Sequence, residues 1–233
     1  MSARAELEAV VARRRQALDT GAKGTTAMPD SWIFREMDVA EARRAAVLIL
    51  FGRLDDVPAR HGSTAVPADL DVLFVQRADT LRQHPGQIAF PGGAVDDTDA
   101  SRIAAALREA EEETGLDPGG VEVLGVLPDA ELPVTNFLVT PVVGWWARPS
   151  EVFVVDPGES AKVFRVPVAD LLDPGKRGTV VLRRDGRRHS SPAFVVDGEL
   201  IWGFTGVVLS RLFDELGWTQ PWDENVELAP PRI

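Results

Sequence analysis

Three glutamates near the middle of the chain have the type and spacing of a metal site. On an ideal helix of about 100° per residue, the heptapeptide REAEEET at residues 108–114 places Glu109, Glu112 and Glu113 within an arc of roughly 100° and turns Glu111 to the other side. Carboxylates this close raise one another's pKa values unless a cation lies among them. Hard divalent cations such as Mg²⁺ and Mn²⁺ prefer carboxylate oxygens. The pattern is compatible with a magnesium or manganese site, but for the helix alone a merely solvated acidic face is the commoner explanation of such a charge run, and the preceding loop is what favours the metal site.

The residues around these glutamates predict a strand, a glycine-rich loop and a helix. The apolar residues 88–90 lead into Pro91-Gly92-Gly93, where glycines let the backbone approach a ligand closely. Asp99 or Ser101 is expected to cap the helix, and Gly115 is typical of the position after a last helical turn. An apolar stripe beside the acidic face predicts that the helix packs on a sheet at Ile103, Ala106, Leu107 and Ala110.

The remaining hydrophobic patterns predict further strands and helices on both sides of this stretch. They comprise an amphipathic helix over 5–18, strands over 45–51, 71–77, 121–128, 137–146 and 151–155, a strand passing into a short helix over 162–172, a hairpin turning at Asp185-Gly186, and a helix with its period at Val207, Val208, Leu212 and Phe213. Strands and helices that do not alternate strictly favour an α/β/α sandwich with a mixed β-sheet. We expect a helical extension at 1–40, one domain at 41–219 and an extended tail at 220–233.

Composition restricts the class of function. The chain has 233 residues and a net charge of −11, which argues against general binding to nucleic acid or to anionic membrane surfaces. It has no cysteine, so disulfides, thiolate nucleophiles and Cys-ligated zinc are excluded. The longest apolar run, residues 45–51, is too short to span a bilayer, and the N-terminus lacks the apolar core of a signal peptide. We expect a soluble, cytoplasmic protein.

Two adjoining motifs resemble a known family. Gly93, the acidic linker and residues 108–116, REAEEETGL, are similar to the Nudix box G-x5-E-x7-R-E-U-x-E-E-x-G-U. The second half matches at every position. The stretch from Gly93 to Arg108 is one residue longer than the pattern, and Asp99, counted back from Arg108, stands one place before the Glu of the pattern. The resemblance extends over roughly residues 45–217 and implies a Nudix-type fold of the α/β class.

The stretch just upstream resembles the second signature of the coenzyme A pyrophosphatase branch of the Nudix hydrolases. The matching positions are Arg77, Arg82, Gly86 and the tetrapeptide Phe90-Pro91-Gly92-Gly93, whereas Phe74 and Val75 differ from that branch. The resemblance implies hydrolysis of coenzyme A or its acyl derivatives to 3′,5′-ADP and (acyl-)4′-phosphopantetheine. It assigns substrate contacts to Arg77, Arg82, Gly86, Phe90 and Gly93.

The same resemblance implies roles for the helix and its loop. Glu109, Glu112, Glu113 and the carbonyl of Gly92 would bind Mg²⁺ or Mn²⁺, and Glu109, Glu112 and Arg108 would form the catalytic group. Glu109 is the first candidate for the general base, with Glu159 in a later loop as its rival. Arg108 is expected either to hold the carboxylate of Glu112 or to form an ordinary surface ion pair.

Two alternatives remain open from the sequence. One keeps the hydrolase and changes the substrate to ADP-ribose, a dinucleotide or a nucleoside triphosphate. The other is a Nudix-fold binding or regulatory module without turnover, against which the three intact glutamates count. The expected partner is a small nucleoside diphosphate substrate, and a homodimer is left open.

Overall fold

The computed structural model describes residues 2–19, 40–54, 58–81, 84–132, 135–184 and 187–230. These residues belong to two compact units, Met1–Gly52 with Phe90–Val155 and Arg53–Ala89 with Asp156–Ile233. Each unit therefore takes two separate stretches of the chain. In chain order the helices and strands are α1 (Ala3–Asp19), β1 (Arg43–Arg53), β2 (Leu70–Arg77), β3 (Ile88–Ala89), β4 (Gly92–Ala94), α2 (Arg102–Thr114), β5 (Val121–Val126), β6 (Ala130–Leu132), β7 (Phe137–Trp146), β8 (Ser160–Pro167), α3 (Val168–Leu171), β9 (Arg177–Arg184), β10 (Arg187–Val196), β11 (Glu199–Ile201), α4 (Gly203–Leu216) and β12 (Glu227–Leu228).

The first unit is built on a mixed sheet. β1 runs parallel to β7, whereas β4 is antiparallel to β1 and both β5 and β6 are antiparallel to β7. Leu48, Ile49, Leu50 and Phe51 in β1 are all 0% exposed. A strand buried on both faces needs apolar residues at every position, which explains the uninterrupted run and confirms the strand predicted there.

Helix α1 packs on β5 and β7 in the same unit. Its apolar face is formed by the buried residues Leu7, Val10 and Val11. The side chain of Val11 reaches Gly125, where a Cβ atom would lie only 2.4 Å from its Cγ1. The predicted amphipathic helix is therefore present. Because Gly125 in β5 has no side chain, Val11 can pack directly against the strand backbone at a β-bulge.

Helix α2 begins and ends at residues that the sequence predicts. Ser101 precedes it in an extended conformation and its hydroxyl accepts a hydrogen bond from the amide of Ala104 at 3.1 Å. Gly115 follows it with φ of 68°, the left-handed conformation that ends many helices. The helix contacts β4 and β7 through its apolar face, with Ala106 and Ala110 fully buried.

The second unit contains two groups of strands. β2 pairs antiparallel with both β3 and β8, and a separate four-stranded sheet has the order β11-β10-β9-β12. β9 and β10 form the predicted hairpin, although its turn at 185–186 lies outside the described residues. Strand β8 passes into the short helix α3 as predicted. The tail contributes β12, which pairs parallel with β9.

Helix α4 confirms the period read from its sequence. It packs on β10, and Val207, Val208, Leu212 and Phe213 are all buried. The ring of Phe213 meets that of Phe194 from β10 edge to face, with their centroids 6.1 Å apart. Aromatic pairs favour this geometry because the edge of one ring is attracted to the face of the other.

The predicted α/β class with a mixed β-sheet is confirmed, but the strand predicted at residues 151–155 is wrong. That segment has no regular structure, and Phe153 is 54% exposed. Its amide donates to the carbonyl of Thr114, and its ring lies over Gly115 at the end of α2. Phe153 therefore covers the end of α2 instead of belonging to a strand. Within the described ranges, no helix is long and apolar enough to cross a bilayer.

Candidate active site

The acidic helix α2 and the glycine loop before it meet within the first unit. The carboxylate of Glu109 is mostly buried, with 19% of its side chain exposed, whereas that of Glu112 is 59% exposed. Glu111 lies on the solvent side, as the helical wheel predicts. The helix thus presents one sheltered and one accessible carboxylate to the same neighbourhood.

Arg108 joins these two carboxylates. Its Nη1 donates to Glu109 Oε1 at 3.0 Å and to Glu112 Oε2 at 2.9 Å. Its Nη2 donates to the carbonyl of Ala94 at 3.1 Å, which ties the helix to the end of β4. The remaining donors reach Asp99, so all five N–H groups of the guanidinium have an acceptor. The structure therefore favours the holding role for Arg108 over an ordinary surface pair.

Asp99 binds Arg108 in a bidentate manner. Its Oδ1 accepts from Nε and its Oδ2 from Nη2, both at 3.0 Å, and only 5% of its side chain is exposed. Oδ2 also accepts from the amide of Asp96 at 2.8 Å. The extra residue in the loop before α2 thus leaves a carboxylate in place to orient the arginine. The sequence offered Asp99 as a helix cap, a role that Ser101 takes, and as the counterpart of the mid-motif Glu of the Nudix box.

The two loop glycines are required by close neighbours on two sides, α2 at Gly93 and β1 at Gly92. A Cβ atom at Gly93 would lie 2.4 Å from Glu109 Oε2, so any larger residue would displace that carboxylate. Gly92 has φ of 155°, and a Cβ atom there would lie 2.4 Å from the carbonyl oxygen of Ala46. The loop backbone therefore touches both β1 and the glutamate face.

The register of β4 turns the polar backbone groups of Gly92 toward α2. The amide of Leu48 donates to the carbonyl of Pro91, and hydrogen-bonded pairs alternate along an antiparallel ladder. The next pair, Val47 with Gly92, therefore has no mutual hydrogen bonds. The amide of Gly92 instead donates to Glu113 Oε2 at 2.9 Å. The carbonyl of Gly92 also points away from β1, and this orientation is needed if it is to bind a metal ion.

The pKa values follow from burial and from Arg108. Burial raises the pKa of Glu109 above its ordinary value, an effect that Arg108 opposes and that the charge of Glu112 increases. The hydrogen bonds from Arg108, and next that from the amide of Asp96, lower the pKa of Asp99. The hydrogen bonds that Arg108 donates to Asp99 and to Glu109 raise the pKa of Arg108. At neutral pH the arginine and Asp99 are therefore a fixed ion pair.

The carboxylates of Glu109, Glu112 and Glu113 have the chemistry of ligands for a hard divalent cation. In this structure the guanidinium of Arg108 lies between Glu109 and Glu112. In the part of the chain that is described, no three Asp, Glu or His side chains are grouped closely enough to hold a metal ion. The Nη1 atom of Arg108 is the cation that Glu109 and Glu112 share, while Glu113 binds the amide of Gly92. All three side chains offer carboxylate oxygens beside a glycine backbone, which is the ligand chemistry that Mg²⁺ and Mn²⁺ prefer.

The other predicted substrate residues are distributed between the two units. Phe90, in the first unit, is 2% exposed, so its ring is a core side chain. Arg77 and Gly86 lie in the second unit, and Arg82 lies outside the described residues. The charge of Arg77 contributes, after burial, to lowering the pKa of His84. Nε of Arg77 is buried without a hydrogen-bond partner among the residues described.

Glu159 has the environment of a loop acid. Its side chain is exposed, and its backbone carbonyl accepts a hydrogen bond from the amide of Ala78 at 2.8 Å. Lys162 lies over the ring of Phe164 at 4.5 Å in the following strand. Glu159 belongs to the second unit, and its role as a rival base stays a prediction.

Comparison with known proteins identifies the family. A family profile described as the NUDIX domain matches residues 60–184. The chain is 44% identical over 146 residues to a protein named Uncharacterized Nudix hydrolase NudL from Cronobacter sakazakii, covering 63% of this chain and 75% of that protein. It is 44% identical over 177 residues to the protein of the same name from Shigella flexneri, covering 73% of this chain and 91% of that protein.

Among solved structures, a Nudix hydrolase from M. smegmatis, RenU, is similar with a TM-score of 0.47 and 19% identity, over 78% of this chain and 91% of that chain. The profile match covers more than half of this sequence, and the curated relatives are matched over most of their own length. The chain belongs to the Nudix hydrolase family.

Proposed function

We propose that the chain is a Mg²⁺- or Mn²⁺-dependent hydrolase that splits the diphosphate linkage of coenzyme A or acyl-CoA into 3′,5′-ADP and (acyl-)4′-phosphopantetheine. Nudix enzymes generally use divalent metals and act on small nucleoside diphosphate derivatives. The observation that carries the hydrolase assignment is the packing of the Gly93 backbone against the Glu109 carboxylate. The choice of coenzyme A is supported by the second signature from Arg77 to Gly93.

In this proposal the residues of α2 hold the reacting groups in place. Divalent cations bound by Glu109, Glu112, Glu113 and the Gly92 carbonyl would neutralise the diphosphate and lower the pKa of an attacking water. Arg108 fixes the orientation of Glu109 and Glu112 through Nη1. No covalent nucleophile is needed, because the water attacks phosphorus directly.

The proton of that water needs an acceptor. Glu109 is the first candidate, because it is more sheltered than Glu112 and lies against the loop. Glu159 is the second, because it is an exposed acid in a later loop. Glu159→Gln decides between them, since a general base contributes roughly a hundredfold to ten-thousandfold to the rate, whereas Glu109→Gln would also remove a proposed metal ligand.

A substrate panel tests the proposal. The purified chain is incubated with coenzyme A, acetyl-CoA, ADP-ribose, a dinucleotide and a nucleoside triphosphate, each with Mn²⁺, with Mg²⁺ and with a chelator. We expect 3′,5′-ADP from the two coenzyme A substrates, measured by chromatography, and no product with the chelator. If ADP-ribose or a triphosphate is hydrolysed and coenzyme A is not, the substrate assignment is wrong.

Matched variants on one helix test the metal site. Glu112→Gln removes a carboxylate from the shared face, and Glu111→Gln removes one from the opposite, exposed face. We expect the first to lower the rate by a factor on the order of a hundred or more, because transition-state charge would lose a metal ligand, and the second to leave it within about twofold. Equal rates for the two variants would place the metal site elsewhere.

A further inference from the structure

The Gly86 segment, residues 84–87 of the second unit, leads into β3 and contains the glycine of the second signature. Its last carbonyl, that of Gln87, accepts a hydrogen bond from the amide of Arg77 at 3.0 Å. Gly86 has a left-handed φ of 66°, and a Cβ atom there would lie 2.6 Å from Asp79 Oδ1. The segment therefore lies close both to the end of β2 and to the residues that follow this strand.

The carbonyl of Gly86 faces a glutamine side chain from β2. Nε2 of Gln76 donates to that carbonyl at 3.4 Å and to Glu199 Oε2 at 3.2 Å. The first distance is long for a hydrogen bond, so this contact depends on how the amide is held. A carbonyl and an ionised carboxylate can only accept, so the NH₂ end of the amide must face both of them. Because hydrogen bonds to a charged acceptor are the stronger kind, Glu199 orients the Gln76 amide toward Gly86.

Glu199 is placed by the tight turn between β10 and β11. Asp197 and Gly198 both have positive φ, 50° and 85°, as the commonest two-residue hairpin turns require. The turn sets Val196 opposite Glu199, which is the first residue of β11. The carboxylate of Asp197 accepts a hydrogen bond from Arg60 Nη1 at 2.5 Å, which fastens the turn. Because turn type fixes the register of a hairpin, the backbone of Glu199 is fixed, and its half-buried side chain reaches Gln76 from there.

We propose that Glu199 is a positioning residue for substrate binding, because it holds the Gln76 amide against the carbonyl of Gly86. The proposal rests on the proposed function, in which Arg77 and Gly86 contact the substrate. A segment that is already held in its bound conformation loses less conformational entropy when the ligand arrives, so the affinity is higher. No proposed metal ligand takes part in these hydrogen bonds. The effect is therefore expected on substrate binding and not on the chemical step.

The charge of Glu199 gives the test two opposite signs. Coenzyme A is an anion, so a carboxylate that acted only through its charge would weaken binding, and Glu199→Ala would lower KM. If Glu199 positions Gly86, we expect Glu199→Ala to raise KM for coenzyme A roughly tenfold, as for a lost hydrogen bond to a charged group, and to leave kcat within about twofold. A KM that falls or stays the same, or a kcat that falls by the same factor, would overturn the proposal.

The matched control is a glutamate at the opposite edge of the same sheet. Glu227 lies on β12, and its carboxylate pairs with Arg188 at 3.1 Å. We expect Glu227→Ala to change KM less than about twofold, because it removes the same charge from the sheet without touching the Gly86 segment. Equal rises of KM in Glu199→Ala and Glu227→Ala would contradict a specific role for Glu199.

A double-mutant cycle shows whether Glu199 acts through Gln76. We expect Gln76→Ala alone to raise KM by a factor similar to that of Glu199→Ala, since either change releases the carbonyl of Gly86. Combining the two should add less than about twofold, because residues that share one hydrogen-bond network are not additive. Two factors that multiply in the double variant would show that the residues act independently, and the positioning role would be wrong.

A measurement without substrate separates this proposal from the proposed function. The amide nitrogen of Gln87 is bonded to the carbonyl carbon of Gly86, so its NMR resonance responds to the hydrogen bond that this carbonyl accepts. We expect the resonance to shift in Glu199→Ala and to stay in place in Glu227→Ala. An unshifted resonance in Glu199→Ala would overturn the positioning role whatever the substrate. If the parent chain does not hydrolyse coenzyme A, the proposed function fails, and the Gln87 resonance still decides whether Glu199 holds the Gly86 segment.

Discussion

Arg108 acts through the shape of its guanidinium as much as through its charge. Its five donors reach Glu109, Glu112, Asp99 and the carbonyl of Ala94. Lysine has three donors on one nitrogen and cannot reach acceptors spread over a planar fork. This makes Arg108 a positioning residue that fixes two of the proposed metal ligands at once.

Arg108→Lys should therefore lower both metal affinity and kcat by roughly tenfold to a hundredfold, the usual cost of losing a partner that orients metal ligands. The measurement is a Mn²⁺ titration of the rate. The matched control is Arg102→Lys on the same helix, where the arginine pairs with Asp129 and contacts none of the glutamates. We expect less than about twofold from the control. Similar losses in both variants would indicate a general effect of arginine on α2.

Asp99 should make stability depend on pH in the acid range. Its folded-state pKa lies below the ordinary value of 3.8, because Arg108 and the amide of Asp96 stabilise the carboxylate. Its contribution is therefore complete above the ordinary pKa and is lost as the pH falls through the lower, folded-state pKa. Asp99→Asn should be less stable at neutral pH and should lose less stability on acidification. Urea unfolding at about pH 6 and about pH 3 checks this.

The control for acidification is Asp129→Asn, which breaks the ion pair with Arg102 but leaves the Arg108 cluster intact. Should Asp99→Asn and the parent chain lose the same stability on acidification, the carboxylate would not be the group that titrates.

At the scale of elements, α2 is fixed by its two ends. Gly115 combines a left-handed φ of 68° with the ring of Phe153, whose Cε1 would lie 2.7 Å from an added Cβ. Gly217 ends α4 with nearly the same φ of 70°, but nothing lies within 4 Å of an added Cβ there. The two helices thus offer a comparison in which backbone strain is shared and the steric contact differs.

Gly217→Ala should cost about 1–2 kcal/mol, the penalty of a left-handed conformation for a residue with a Cβ atom. Gly115→Ala should cost more, because Phe153 must also move. Urea unfolding measures both losses. Phe153→Ala in the Gly115→Ala background should recover the steric part. Equal losses of stability at the two glycines would mean that the ring of Phe153 moves aside without a measurable loss of free energy.

The sequence predicts those features of the elements that depend on local chemistry. The wheel of α2, its caps at Ser101 and Gly115, and the buried run of β1 all follow from periodicity and residue type. The segment at 151–155 looked like a strand because Val152, Phe153 and Val155 are apolar, yet it has no regular structure, and Phe153 lies over the end of α2. Local pattern reports that a side chain is apolar; only the tertiary structure decides what it covers.

The same limit applies to the candidate site. The glutamates could be found because they share one helix, and their spacing alone places them together. The bidentate pairing of Asp99 with Arg108 depends on the path of a loop that is one residue longer than the family pattern. The guanidinium of Arg177 lies 4.5 Å from the ring centroid of Trp222, a residue far from it in sequence. Neither contact has a periodic signature.

At the scale of the whole molecule, two interleaved stretches build each unit. The first unit needs β1 from residues before 53 and β7 from residues after 89, and these strands pair from Arg43 with Phe137 to Phe51 with Trp145. Parallel pairing requires such a long connection, and its register cannot be predicted from either strand alone. The division of the chain into an extension, a domain and a tail stays a prediction, as do a cytoplasmic location and a homodimer.

The net charge of −11 determines how a metal effect on stability must be measured. Any added salt screens repulsion among the acidic groups and so stabilises the chain without specific binding. A specific cation adds to this only if it binds the folded state, by about 2.7 kcal/mol at a hundred times its dissociation constant. For a chain of this size, that corresponds to a rise of about 5–10 °C in Tm.

We therefore expect Mn²⁺ to raise Tm more than NaCl at the same ionic strength, with the difference measured by calorimetry. Glu113→Gln should reduce this difference, because one ligand would lose its charge, and Glu111→Gln on the exposed face should preserve it. A Tm that depends only on ionic strength in all three chains would show that α2 holds no cation in the absence of substrate. The glutamates would then become ligands only when the diphosphate arrives with its own metal, and the Mn²⁺ dependence of Tm would appear when a non-hydrolysable diphosphate is present.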